Sequence, residues 1–390
     1  MTRVLIITTN FPRWEGDPHS PWLVELLGLL RAQGLHFDVL APAFAGQGSH
    51  RVHGLAVQRF RYAPARWETL THGEGAPNKI RRNPLYLALL PGYLLAGCWA
   101  AWRLARHHRY DVIHVHWPMP QAILALAARA ARPARLVATF YGADLVLTRR
   151  FPALRGLLRA LVRRSDAVAA ISSFTAAELT EATGVVPQLI PYGIALPDAA
   201  LHWPAEPGLI LAVGRLIPRK GQRYLIEAMA RLTLTHPAAR LLLVGDGPER
   251  AALAAQIAAL GLDEQVTLAG RVSDEELQAA YQRCAIFVLP SIIDDTGDTE
   301  MLGMVSLEAM RYRKPVVATD VGGVADIVQH EISGLLVAQR NPAALAAAIA
   351  QLLNDPARAQ SLGDAGYDFA RRQFSWEAVT AHTLQLYGVA

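Results

Sequence analysis

The chain has 390 residues, 52% of them hydrophobic and 18% charged, with a formal net charge of +5 and two cysteines. That length exceeds what one hydrophobic core usually fills, so a single small domain is excluded and two domains are expected. Cys98 and Cys284 stand far apart in apolar runs, which excludes a disulfide framework and favours a reduced cytoplasmic compartment. The charge is unevenly placed: residues 1–200 carry 22 Lys+Arg against 12 Asp+Glu, net +10, and the remainder carries 16 against 21, net −5. No repeat of 20 to 50 residues or low-complexity tract is visible, and no nucleic-acid partner is expected.

The opening RVLIITTNFP reads as a buried strand running straight into a loop, without the basic start and small-residue cleavage site of a signal peptide. The loop, PRWEGDPHSPW, is long and polar and precedes a helix from about Leu23 to Gln33. Gly16, Asp17 and His19 are its candidates for contact with an acceptor in a cleft, with Asp144 of TFYGADL a further one. Leu85 to Trp102 then run for eighteen residues without a charge, the lower limit for a membrane span. Pro91-Gly92 interrupts that run and strand-like segments flank it, so a buried or interfacial helix is expected. Lys79, Arg81 and Arg82 precede it, and Arg103 and Arg106 follow. The next strand, DVIHVHW, carries His114 and His116, expected on opposite sides of the sheet, with His116 nearer the carboxyl end and the better site candidate. Periodicity is lost in YGIALPDAALHWPAEPG, where prolines cluster, which places a domain boundary there.

Ile210 to Val213 reads as a second buried strand, broken by Gly214, and Gly221 precedes a helix with Leu225, Ile226, Met229 and Leu232 on one face. Arg215 and Lys220 therefore sit on a strand-to-helix loop, at the carboxyl edge where open α/β sheets bind ligands. Two cations there suit a nucleotide diphosphate as leaving group. Lysine occurs only at positions 79, 220 and 314, so Lys220 is not part of a lysine-rich surface. Another strand ends at Gly245-Asp246-Gly247-Pro248, whose glycines are too few for a dinucleotide fingerprint, and reads as a tight turn near the site. The loop IIDDTGDTE gathers Asp294, Asp295 and Asp298, a cluster that would suit magnesium, but the two cations make a metal unnecessary and none is expected.

Glu300 and Glu308 stand eight apart in TEMLGMVSLEAM, between the apolar runs AIFVLPS and KPVVATD. On a continuous helix that spacing is roughly 12 Å of rise and about 80° of rotation, too far for both to serve one atom. They suit two ends of one long ligand: one accepts from sugar hydroxyls, the other from ribose hydroxyls. Gly303 lets backbone approach the ligand, and the first helical turn after it offers free N–H groups to an anion. Gly322-Gly323, after the last strand, are expected to bring backbone close to phosphate or sugar.

The ordered set G-R-L-x-x-x-K-G, V-G-D-G-P, E-x7-E followed by A-M, and K-P-V-V-A-T-D-x-G-G resembles the carboxyl-terminal half of glycosyltransferase family 4, over about 120 residues. The amino-terminal half is similar more loosely, through its opening strand, DVIHVHW and ISSFTAAEL. The resemblance implies a retaining enzyme with the two-domain α/β GT-B fold, two Rossmann-like domains whose parallel sheets face a central cleft. Residues 1–197 would bind acceptor, 206–373 would bind donor, and a helix within 374–390 would cross back. It also implies that Arg215 and Lys220 hold the donor diphosphate behind Gly214, that Glu300 meets the transferred sugar, and that Glu308 meets the ribose. Backbone at Gly303, Met304 and Val305 would meet the phosphates, and Val272, after AGRV, the base. The sequence departs from the pattern at Met301-Leu302, where Gly-Phe is common, at Asp326 for a glutamate, and at Tyr192 for an asparagine. Tyr141 in TFYGADL replaces a histidine common before the Gly-x-Asp that Asp144 completes, which bears on the sugar accepted.

These readings converge on a cytoplasmic, metal- and cofactor-independent transferase moving sugar from a UDP- or GDP-sugar to a hydroxyl acceptor. The resemblance implies front-face transfer, the departing diphosphate taking the acceptor proton. The cationic first half favours a lipid-linked acceptor and peripheral contact with the anionic inner face of the plasma membrane. The alternatives are a sugar-nucleotide epimerase of the same fold, or a glycosyltransferase acting on a soluble small-molecule acceptor.

Overall fold

In the computed structural model, the residues described are 2–17, 19–72, 76–150, 154–196 and 204–389. The chain divides into Met1–Gly193 with Val379–Ala390, and Ile194–Ala378. The expected boundary at 197 falls outside the described residues, and Ile194 already belongs to the second unit.

In the first unit, apolar runs bounded by glycine and proline become β1 (Arg3–Ile7), β2 (His36–Pro42), β3 (His50–Val52), β4 (Leu55–Phe60), β5 (Val112–His116), β6 (Arg135–Phe140), β7 (Ala167–Ala170) and β8 (Gln188–Leu189). They lie in the order β3-β4-β2-β1-β5-β6-β7-β8, parallel except for the β3–β4 pair. Helices cover both faces, so β1 and β5 are almost wholly buried and read as unbroken apolar runs. The strand order reverses between β1 and β5, and a crevice opens outside the carboxyl ends of such a pair.

The second unit repeats the plan. β9 (Leu209–Val213), β10 (Arg240–Val244), β11 (Val266–Gly270), β12 (Ile286–Leu289), β13 (Val316–Thr319) and β14 (Leu335–Val337) pair in parallel as β11-β10-β9-β12-β13-β14. Its reversal point lies between β9 and β12, where Ile210 and Leu211 register against Ile286 and Phe287. Arg215, Lys220 and Glu300 all follow one of these two strands.

The last helix, Trp376–Tyr387, leaves the second unit at Ala378 and docks on the first. Its anchor is Tyr387, whose hydroxyl hydrogen-bonds His114 Nδ1 at 2.9 Å. The other nitrogen of His114 meets Thr139 Oγ1 at 2.8 Å. His114 and His116 do not face opposite sides of the sheet: residues two apart on a strand share a face, and their rings lie 4.0 Å apart. Both are buried. Burial lowers the pKa of His114 well below the ordinary histidine value and that of His116 to about 3. His72 is likewise buried and lowered to about 3, first by burial and then by the charges of Arg59 and Arg13.

These three imidazoles are neutral in the folded chain down to low pH, whereas unfolded histidine binds its proton near pH ~6.5. Their depressed values contribute stability that is present above that pH and lost as it falls, because the unfolded state then binds more protons. The urea midpoint is therefore expected to fall between about pH 7 and about pH 5, before most carboxylates titrate. A midpoint that is flat over that interval contradicts the assignment of three buried neutral histidines.

Candidate functional site

In the second unit the site is built from two loops at the reversal point. The loop after β9 closes in the short turn Pro218–Lys220, which brings Lys220 inward until its residue is 9% exposed. The loop after β12 runs to Glu300, whose side chain is 12% exposed. Lys220 Nζ donates to Glu300 Oε2 at 2.5 Å, and Arg219 Nη1 donates to the same oxygen at 3.3 Å. Arg219 also donates to the Thr299 carbonyl and pairs with Asp298 at 3.3 Å. Burial opposes ionisation of Glu300, but the charges of Lys220 and Arg219 outweigh it and hold the carboxyl below its ordinary value. Glu300 is therefore an anion fixed by two cations.

The position of Glu300 is set by backbone as well. Its carbonyl accepts from Gly323 N at 3.0 Å, and a β-carbon on Gly322, at φ 54°, would lie 1.9 Å from that oxygen. No residue but glycine fits that contact. The Gly-Gly pair clamps the backbone that aims Glu300. The Gly245–Pro248 turn has a similar supporting role: Asp246 O accepts from Leu216 N at 3.0 Å and Leu216 O accepts from Glu249 N at 3.1 Å, bracing the loop that carries Arg215.

Arg215 is exposed, and its side chain has no hydrogen-bond or ion-pair partner among the described residues. It is thus the cation of this loop left to meet an incoming anion, whereas Lys220 is already paired. Gly303, at φ 90°, caps the helix Met304–Arg311 without a side-chain cap. The N–H groups of Met304 and Val305 therefore have no intrahelical acceptor and present the positive end of the helix dipole. Val272 lies half-buried in the turn after β11, just before the Ser273 helix cap.

Glu308 sits one turn into the Met304–Arg311 helix, whereas Glu300 precedes it, so the two are not on one continuous helix. Glu308 Oε2 accepts from the Tyr281 hydroxyl at 2.6 Å. Burial raises its pKa above the usual glutamate value, despite that hydrogen bond and the charges of Lys220 and Arg311. The two glutamates are therefore pushed in opposite directions. Among the described residues no three carboxylate, histidine or cysteine side chains converge as a metal set. Asp294 is spent on its own turn, accepting from Thr296 N, Thr296 Oγ1 and Asp298 N, and Asp295 pairs with Arg340.

In the first unit, the loop after β1 is ordered by Asp17. Its carboxylate accepts from Arg13 N at 2.8 Å, Arg13 Nε at 2.6 Å, Arg13 Nη2 at 3.0 Å and His19 Nδ1 at 2.6 Å. Four bonds fill the four lone-pair directions of a carboxylate, so Asp17, a candidate acceptor contact, is committed to holding the loop. Burial would raise its pKa, but these hydrogen bonds hold it far below the usual range. Arg59, which no sequence signal singled out, is buried and donates to the carbonyls of Phe11, Pro12 and Pro42. Burial lowers its pKa to about 10. Gly16, at φ 86°, makes the bend before Asp17, and the His19 side chain stays 22% exposed.

At the ends of β5 and β6 the aromatic residues gather. His116 Nδ1 lies 2.6 Å from the Tyr141 hydroxyl, and Trp117 stacks on Tyr141 with centroids 4.5 Å apart. Trp22 meets Tyr141 at 5.4 Å and Tyr192 at 4.8 Å. Tyr141 is buried and its hydroxyl is held by His116. His116 Nε2 and Asp144 Oδ2 are buried and have no hydrogen-bond partner among the described residues. Burial raises Asp144 to about 7, against backbone hydrogen bonds including that from Tyr141 N. Trp22 and Trp117 were missed in the sequence; the clue available was Trp117 directly following the strand that ends in His116.

Comparison with known proteins places both halves. The family described as Glycosyltransferase Family 4 matches residues 22–196, and Glycosyl transferases group 1 matches 198–369. A GDP-mannose-dependent alpha-(1-6)-phosphatidylinositol monomannoside mannosyltransferase of Mycobacterium tuberculosis is 30% identical over 396 residues, 98% of this chain and 97% of that protein. A glycogen synthase of the same species is 32% identical over 302 residues, covering 72% and 69%. Among solved structures, sucrose-phosphate synthase from Thermosynechococcus elongatus superposes with a TM-score of 0.77 at 24% identity, covering 100% of this chain and 98% of that one. Anabaena HepE, in complex with UDP and glucose, gives 0.70 at 20% identity over the full length of both. The two Rossmann-like parallel sheets are those of the GT-B fold, and with them the chain belongs to glycosyltransferase family 4.

Proposed function

We propose that this glycosyltransferase moves a sugar from a UDP- or GDP-sugar to a hydroxyl of a lipid-linked acceptor, with retention of anomeric configuration and without a metal. The observation that carries the reading is the buried Lys220–Glu300–Arg219 set at the reversal point of the second sheet, beside exposed Arg215 and an uncapped helix start. Arg215 and the N–H groups of Met304 and Val305 take the diphosphate, where charge develops as the leaving group departs. Glu300, kept ionised by its two cations, accepts from hydroxyls of the transferred sugar. Lys220 holds that carboxylate in place and adds positive charge beside the diphosphate. Glu308, fixed by Tyr281, accepts from the ribose, and Val272 flanks the base. A diphosphate oxygen receives the acceptor proton, so no protein nucleophile is required. The acceptor reading is supported by the relative acting on phosphatidylinositol monomannoside and by the net +10 of residues 1–200. Its setting is the inner face of the plasma membrane.

Glu300→Gln is expected to lower kcat by about 10² to 10³ with donor affinity largely kept, because the isostere loses the charge but not the shape. Glu308→Gln is expected to weaken donor binding by about tenfold, the loss of one charge-assisted hydrogen bond, with a smaller effect on kcat. Calorimetry with steady-state kinetics reads the split; two variants that both transfer at wild-type rates would remove these residues from the site.

Acidification gives an independent check. Glu308, raised above the usual glutamate value, protonates before Glu300, which is held below it. As pH falls, the donor Kd should rise while Glu300 is still ionised, and Glu308→Gln should flatten that limb. A donor Kd independent of pH down to about 4.5, the ordinary carboxyl range, speaks against Glu308 as the ribose contact.

Product stereochemistry and metal dependence complete the test. The NMR spectrum of the product should show the donor's anomeric configuration, EDTA should leave the rate intact, and donor alone should give no isomerised sugar. Inversion, or activity that vanishes with EDTA and returns with magnesium, contradicts the mechanism.

A further inference from the structure

The helix Leu90–His107 and the turn Pro84–Leu89 before it are apolar on both faces. Tyr93, Gly97, Ala101 and Ala105 recur every four residues and are buried. That inner stripe is held tightly. A β-carbon on Gly97 would lie 2.6 Å from Leu124 Cδ2, on the neighbouring helix Pro118–Ala131, and Tyr93 meets the rings of Phe60 and Tyr62 edge-on at 5.1 and 5.2 Å. The outer stripe ought to be polar on a helix that faces water. Instead Leu95 is 73% exposed, Trp99 61% and Trp102 37%, with Leu85 at 76% and Leu87 at 50% on the preceding turn. Trp99 and Trp102 stack at 5.3 Å, and the Arg106 guanidinium lies 5.6 Å from the Trp102 ring centroid. Arg103 and Arg106 are exposed at the end of the same stripe.

Two ordinary explanations fail on these facts. A buried core helix would hide this segment, yet only 22% of its apolar window is buried. A transmembrane span would need the inner stripe as well, and that stripe is part of the first unit's core. Solvent-exposed Leu, Trp and Trp on three successive turns, ending in arginines, fit a helix lying in the plane of a bilayer surface. There indole rings settle at headgroup level, leucines enter the acyl boundary and guanidinium groups reach phosphates.

We propose that the outer face of Pro84–His107 is a docking surface for an anionic phospholipid bilayer, entered by Leu85, Leu95, Trp99 and Trp102 and held by Arg103 and Arg106. The inference deepens the lipid-acceptor reading, on which its benefit to transfer rests: docking would hold the enzyme where such an acceptor lies. The charge of the first 200 residues, net +10, is complementary to such a surface. The amino-terminal flank contributes less than its sequence suggests, because the Lys79 ammonium donates to the Thr69 carbonyl. The Arg81 side chain lies outside the described residues.

The test uses the whole chain with vesicles of phosphatidylglycerol and phosphatidylcholine, against phosphatidylcholine alone, in co-sedimentation over a salt series. The wild type should bind the anionic vesicles strongly, the neutral ones weakly, and lose binding as salt screens the charges. The double variant Leu95→Ser, Trp99→Ser should cut partition about tenfold or more, while Leu234→Ser, at a leucine 83% exposed on the other unit, should leave it unchanged. Arg103→Ser with Arg106→Ser should shrink the preference for anionic lipid. Unchanged thermal midpoint and donor affinity show that the variants are folded. Absence of vesicle binding at low salt, or a double variant that binds like the wild type, overturns the proposal. So does a dimer in sedimentation velocity that the double variant dissolves without any vesicle binding, which would assign the face to a second copy. Vesicle binding by an enzyme that transfers only to water-soluble acceptors would sink the lipid-acceptor reading and leave the docking surface standing.

Discussion

The site proposed for the donor depends on one ion pair, Lys220 with Glu300, 2.5 Å apart and reinforced by Arg219. Each partner comes from a different strand end, β9 and β12, so the pair ties together the two loops at the reversal point of the sheet. Removing either charge from water costs several kcal/mol, which attraction at this distance offsets only if the geometry is good and further hydrogen bonds complete it. Arg219 supplies one such bond, and the Gly322-Gly323 clamp on the Glu300 carbonyl supplies the geometry. A site held together by its own contacts in this way is preorganised, which lowers the ordering cost of binding a ligand there.

Charge is divided within this site with some economy. Lys220 and Arg219 serve Glu300, whereas Arg215 is exposed and the helix start at Gly303 has no side-chain cap. Glu308 is raised rather than lowered, because burial outweighs the opposing hydrogen bond from Tyr281. The first unit follows another logic: Asp17 spends its charge chiefly on the side chains of Arg13 and His19, Arg59 spends its own on loop carbonyls, and the residues around the ends of β5 and β6 are aromatic.

Much of this was legible in the sequence because strand ends are. Glycine-punctuated apolar runs located β9, β10 and β12, and parallel sheets bind ligands at carboxyl ends, so Arg215, Lys220 and Glu300 were placed on the right loops from spacing alone. Partner choice was not legible. Nothing local distinguishes Arg219 from Lys220, and only the turn at Pro218–Lys220 decides which cations face Glu300. Tyr281 lies 27 residues from Glu308, a contact made by packing of two helices. The Gly-Gly pair signals a close approach, and the contact the structure shows there is with the Glu300 carbonyl, which no local pattern announces. The two histidines of β5 illustrate period two on a strand, which sets them on one face where alternation had been expected. Hydropathy located the 85–102 run, yet only three-dimensional packing separates its pinned stripe from its exposed one.

A double-mutant cycle on Lys220 and Glu300 addresses the central claim most directly. Donor affinity and transfer rate would be measured for Lys220→Met, Glu300→Gln and the pair together, with folding checked by thermal midpoint. If the two side chains act as one preorganised unit, the double variant should lose little more than the worse single one, giving a coupling on the order of 1 to 3 kcal/mol. Losses that simply add would mean that Lys220 and Glu300 act independently, and the account built on their pairing would be wrong.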